Sequence, residues 1–131
     1  LIACAKDSLY HAIDSIHEGM RFKELSKLIE DFIVSRGYQP LVRFCGHGIG
    51  KKPHDEPEIP NYIGNGKTNS GPKIKNGMVF CLEPMICQKM REPVILDNKW
   101  DVVSEDGLRG SHYEHTVAVI NGKAVILSTV D

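Results

Sequence analysis

Neither sign of charge dominates this sequence, and no stretch of it is uniformly apolar. Its 16 basic and 17 acidic residues leave a formal net charge of −1, which gives no pull towards nucleic acid or an anionic membrane surface. No apolar run approaches the roughly 18 residues that cross a bilayer. The basic start and small-residue cleavage site of a secretory signal are also missing. The four cysteines (Cys4, Cys45, Cys81 and Cys87) make no CxxC pair. Free buried thiols in a cytoplasmic protein are therefore expected, rather than a disulfide framework. No internal repeat, low-complexity tract or linker divides the chain. What remains is ordinary globular composition, 41% hydrophobic and 25% charged over 131 residues, enough for one domain-sized unit with a real core.

The first third reads as helix. Leu9, Ala12, Ile13 and Ile16 form one stripe at helical spacing, with His17 expected in the last turn and Gly19 as the terminating glycine. A second stripe runs through Leu25, Leu28, Ile29, Phe32 and Ile33, and Gly37 is expected to stop it. The chain opens on apolar Leu1-Ile2-Ala3-Cys4 with no capping residue, so a piece of a longer chain is expected.

From Leu41 onward the pattern changes to strand and turn. Asn76-Gly77 launches the apolar run Met78 to Leu82, and Val94–Leu96 and Trp100–Val103 flank a polar turn at Asp97-Asn98-Lys99. Asn121-Gly122 between two β-rich runs is the signature of a type I′ hairpin. Residues 51–77 are rich in Pro, Gly and Asn without a period, which makes them a functional or mobile segment in this reading. The expected class is α+β, two helices packed on an antiparallel β-sheet.

Three polar positions stand out against this pattern. His47 sits among three alternating glycines in Gly46-His47-Gly48-Ile49-Gly50, which lets backbone approach closely and leaves the imidazole uncrowded. A phosphate-cradling loop is an alternative, but the spacing matches neither common phosphate motif and no basic residue is placed to help. A satisfied structural histidine is the blander one. Glu83 interrupts an apolar strand and Glu114 leads directly into another. A carboxylate in such a place is costly unless it is ion-paired or holds a metal. Strand alternation puts Cys81 and Met85 on the side of Glu83, and His112 and Thr116 on the side of Glu114, with Phe80 and Leu82 turned into the core. One imidazole with several carboxylates suits Mn, Fe, Co or Zn in a hydrolytic centre better than a structural zinc site.

Together, Gly46-His47-Gly48-Ile49-Gly50 followed by His54, Leu82-Glu83-Pro84-Met85 and Tyr113-Glu114-His115-Thr116 resemble the signature of the type I methionine aminopeptidases. The resemblance covers essentially the whole chain. It implies the C-terminal half of a pita-bread fold over residues 1–131, with the N-terminal half of the catalytic domain absent. It further implies two divalent metal ions (Co, Mn, Fe or Zn), with His47 and Glu83 on one metal and Glu114 bridging both. His54 would contact the scissile carbonyl and Glu83 would act as general base. Met85, Trp100 and His112 fall at substrate-pocket positions.

The activity implied is hydrolytic removal of the N-terminal methionine from nascent polypeptides, at the ribosome, by a monomeric cytoplasmic enzyme that binds neither nucleic acid nor membrane. Type II members carry an inserted helical subdomain where this chain has only a short segment between His54 and Glu83. Pro53 and His112 depart from the residues many members carry there. The family's two aspartate ligands and a further histidine have no counterpart, since Asp97, Asp101 and Asp106 lie in hairpin or loop contexts. A half of this kind is expected to expose an apolar face, with self-association or poor stability when isolated. A metal-free binding module on the same fold is the competing class, and metal analysis separates the two.

Overall fold

A computed structural model of the chain describes residues 1–129. Two helices, α1 (Ile2–Ser15) and α2 (Phe22–Ser35), precede ten short strands. These are β1 (Gln39–Pro40), β2 (Cys45–Gly48), β3 (Asp55–Pro60), β4 (Val79–Leu82), β5 (Met85–Cys87), β6 (Pro93–Ile95), β7 (Val102–Ser104), β8 (Gly110–His112), β9 (His115–Ile120) and β10 (Lys123–Ile126). They form an antiparallel five-stranded sheet in the order β10-β9-β4-β2-β3, a three-stranded sheet β1-β5-β8 and the β6-β7 hairpin. The α+β class expected from the sequence is the class found. No helix among the described residues is long and apolar enough to cross a membrane.

Both helical stripes pack as their spacing requires. α1 buries Leu9, Ala12 and Ile13, and α2 buries Leu25, Ile29 and Ile33. They meet Ile59, Phe80, Leu82, Val117 and Val119 from the sheet, and Ile74 from the segment before β4, in one core. Phe22 stands edge-on to Phe80 at 5.1 Å, a favourable arrangement for two ring quadrupoles. The backbone N–H of Arg21 donates to Glu24 Oε2 at 2.6 Å, satisfying one orphan amide at the start of α2.

Gly37 ends α2 as expected. Its φ is +80°, its N–H donates to the Val34 carbonyl and that of Tyr38 to Ile33, the double closure of a Schellman turn. The expected end of α1 is corrected. That helix stops at Ser15, and Ile16 leaves in extended conformation while remaining buried. His17 therefore lies beyond the helix, bridged to Lys123, and Gly19 turns the following segment. The stripe misled because Ile16 reaches the core from extended backbone as readily as from a helical turn.

The hairpins follow the text. Asn121 and Gly122 both have positive φ, 51° and 79°, as a type I′ turn demands. Segment 51–77 needs a correction, because it contains β3. Two of that strand's six residues are proline and three are acidic, which hid it. It is an edge strand, where a missing N–H costs no ladder bond.

The rest of the segment is pinned from α2. Glu30 is 8% exposed and its carboxylate accepts N–H bonds from Ile63 and Gly64, each at 3.0 Å, and an ion pair from Arg91 at 2.7 Å. Arg91 also lies over the Tyr62 ring. Burial works to raise the Glu30 pKa, but these donors outweigh it and hold the group below the usual carboxylate range. Glu30→Ala would leave two amides and a guanidinium without their acceptor. We expect a loss of about 2–3 kcal/mol, read as a lower urea midpoint with unchanged slope.

Candidate metal centre

β2 is wedged between β4 and β3 at a spacing only glycine allows on either side of His47. A Cβ on Gly46 would lie 2.3 Å from the Cys81 carbonyl oxygen, and one on Gly48 would lie 2.0 Å from that of Glu56. The backbone approach read from the three glycines is therefore real at these two positions. At Gly50 the nearest atom belongs to the Asp55 side chain, which can move. His47 Nδ1 lies 3.0 Å from the Gly48 carbonyl. A carbonyl can only accept, so Nδ1 carries a proton and Nε2 is the ring nitrogen left to meet a ligand.

That nitrogen faces Glu83 Oε1 at 3.5 Å. Glu83 occupies the break between β4 and β5, where the chain passes from the five-stranded to the three-stranded sheet. Glu114 occupies the matching break between β8 and β9. β4 pairs with β9 and β5 with β8, so the two breaks lie side by side. The Tyr113 N–H donates to the Pro84 carbonyl across the joint, and Asn61, fully buried, donates its amide to the Glu83 carbonyl. Both carboxylates thus sit where a long hairpin bends, outside the ladder, Glu83 half-buried and Glu114 exposed with its Oε1 on the Cys81 sulfur.

Burial and a like charge govern the electrostatics of Glu83. Burial, then the Glu114 charge, push its pKa up to about 6, against a smaller opposing effect of His47. A group held above its usual value of 4.5 is more protonated in the folded than in the unfolded chain, so its contribution to stability is complete below 4.5 and lost as pH rises through 6. The metal-free protein is expected to lose about 2 kcal/mol over that window. Urea midpoints in chelator at both ends of it test this, and Glu83→Gln should flatten the difference.

Cys81 was read from the sequence only as a residue on the side of Glu83. It stands directly opposite His47 across β2 and β4. Its sulfur, a ring nitrogen of His47 and a carboxylate oxygen of Glu83 all lie within 4.8 Å of one another. Cys81 is buried and donates its S–H to Glu114 Oε1 at 3.0 Å. Burial, then Glu114, then Glu83 push this thiol far up. Strand alternation held the signal that finds it, since Cys81 precedes Glu83 by two. All four cysteines are free, and three of them are buried, while Cys45 is half-buried.

The remaining expected residues fall in two places. His54 is exposed and its ring lies 4.3 Å from that of His47, beside the cluster. Met85 lines an apolar cavity of about 710 Å³ with Leu41, Phe44, Ile86, Val102 and Leu108. His112 pairs with Met85 across β5 and β8 but does not line that cavity. Neither does Trp100, which is 84% exposed in the turn of the β6-β7 hairpin. The alternation argument weakens here because the break at Glu83 and Pro84 separates Met85 from the strand of Cys81. Pro53 is exposed, as are Asp97, Asp101 and Asp106 on or beside that hairpin.

The two carboxylates oppose each other's charge, and the Glu114 charge adds to burial in disfavouring ionised Glu83. An imidazole nitrogen and carboxylates so placed fit a divalent metal, which His47 and Glu83, with Glu114 beside them, could hold.

Residues 1–121 match metallopeptidase family M24. A methionine aminopeptidase from Helicobacter pylori is 67% identical over 129 residues, 98% of this chain and 51% of its own length. The chain thus spans about half the length of the curated relatives it matches. The crystal structure of methionine aminopeptidase from Thermotoga maritima superposes with a TM-score of 0.93 at 32% identity, covering 99% of this chain and 51% of that one. A prolidase from Pyrococcus furiosus shares the fold alone, at a TM-score of 0.72 and 24% identity over 99% of this chain and 32% of that one.

Proposed function

Because this chain belongs to metallopeptidase family M24, we propose that its residues 1–131 form the C-terminal half of the catalytic domain of a type I methionine aminopeptidase. The whole protein, in this reading, hydrolyses the N-terminal methionine from nascent polypeptides. The observation that carries it is the convergence of His47 Nε2 and the Glu83 carboxylate, with Glu114 in the adjoining bend. Two divalent ions (Co, Mn, Fe or Zn) would complete the centre with donors from an N-terminal half. When bound, they supply Lewis acidity that polarises the scissile carbonyl and acidifies water.

The chain's own residues then have distinct tasks. Glu83 accepts a proton from the attacking water and passes it to the leaving amine as the C–N bond breaks. Free methionine and a peptide shortened by one residue result. His54 donates to the oxygen that gains charge as water adds to the carbonyl. The apolar cavity beside Met85 takes the unbranched thioether side chain, and His112 and Trp100 complete its wall in the full-length protein.

The β6-β7 hairpin supports the half-domain reading, because Val94, Ile95, Leu96, Val102 and Val103 are all about two-fifths exposed. An N-terminal half would cover them, and the isolated chain would self-associate through them. We place the intact enzyme in the cytoplasm as a monomer acting at the ribosome. The test is direct. The full-length protein loaded with each of the four metals should release free methionine from a Met-Ala-Ser peptide, spare Leu-Ala-Ser and stop in chelator. Silence with all four metals defeats the proposal.

A further inference from the structure

Around the candidate centre the structure holds one donor that the ligand set above leaves out. We propose that Cys81 is itself a metal donor, so that the centre binds thiophilic divalent ions through sulfur as well as through nitrogen and oxygen. This rests on the reading of the site as a metal centre and specifies which ions it prefers.

The geometry is the argument. His47 and Cys81 are direct cross-strand partners, and side chains so placed project from the same face at close range. The Cys81 sulfur, a His47 nitrogen and a Glu83 oxygen lie within 4.8 Å of one another. In a tetrahedral centre metal–sulfur bonds are about 2.3 Å and metal–nitrogen bonds about 2.0–2.1 Å, so small side-chain rotations suffice to bring all three onto one ion. The backbones carrying His47 and Cys81 are held by the close approach at Gly46, which leaves no room for Cβ against Cys81.

The sulfur is also turned towards the site. Phe80 and Leu82, its neighbours on β4, belong to the apolar core, whereas Cys81 reaches Glu114 at 3.0 Å. Binding replaces the S–H bond by a sulfur–metal bond, and the proton leaves through Glu114 to solvent. No electron is transferred. A thiolate shifts preference towards zinc, cobalt or cadmium and away from manganese, which favours oxygen.

The test uses the full-length, metal-free protein titrated with Co²⁺. One outcome expected is a near-ultraviolet thiolate-to-cobalt charge-transfer band that Cys81→Ser abolishes and that Cys45→Ser and Cys87→Ser retain. Cys81→Ser should also weaken Cd²⁺ binding roughly tenfold or more while leaving Mn²⁺ binding unchanged. X-ray absorption of the zinc-loaded parent needs no variant, and should show a sulfur neighbour at about 2.3 Å. Cobalt bound with only nitrogen and oxygen neighbours overturns the role of Cys81 but leaves the metal centre standing. Failure to bind any of these ions overturns both.

Discussion

In the full-length protein, Glu83→Gln is expected to cut methionine release by about 10³-fold or more, because a general base alone accounts for about 10²–10⁴-fold. Glutamine keeps the shape but can neither carry the negative charge nor accept the proton. Glu114→Gln should fall as steeply by weakening metal retention if the proposed centre is correct, since Glu114 occupies the break beside that of Glu83. The two variants differ in stability. Glu83 carries a pKa pushed up to about 6 by burial and by Glu114, so above that value its ionised form works against the metal-free fold. Glu83→Gln should therefore lose activity and gain stability at neutral pH in chelator. Turnover, bound metal and urea midpoints measured on the same preparations decide the matter. Turnover within about tenfold of the parent, less than the smallest effect expected of a general base, would remove Glu83 from the mechanism.

Much of this architecture was legible because it is written locally. Gly37, Asn121 and Gly122 adopt the positive φ their positions call for, and the stripes on α1 and α2 are periodic enough to mark their buried faces. What escaped depends on tertiary pairing. β3 has no strand composition because an edge position tolerates its prolines, and only its neighbour β2 makes it a strand. Ile16 continues a helical stripe yet sits on extended backbone, because His17 pairs with Lys123, over a hundred positions away. At the site, the unusual carboxylates Glu83 and Glu114 announced themselves by breaking apolar runs. Cys81 did not, since a cysteine in an apolar strand is ordinary. Alternation with Glu83 hints at it, and the register that sets it opposite His47 separates it from Cys87, which is equally buried on β5. Trp100 was reached through resemblance alone and His112 through strand alternation with Glu114, and in this half of the fold each is exposed.

His54→Ala should lower kcat by about 10²–10³-fold, the usual cost of removing one donor to a developing oxyanion, while metal content stays at the parent level. The geometry separates binding metal from stabilising charge. The His47 ring is fixed by its bond to the Gly48 carbonyl and aims Nε2 at Glu83. The His54 ring lies against it at 4.3 Å, on the exposed side, where a substrate carbonyl can approach. An interaction made mainly in the transition state lowers kcat and kcat/KM together and leaves KM nearly unchanged. His54→Asn offers a neutral donor on a shorter side chain and should recover part of the loss. If His54→Ala instead raises KM at constant kcat, or releases metal, the histidine binds substrate or metal and has no oxyanion role.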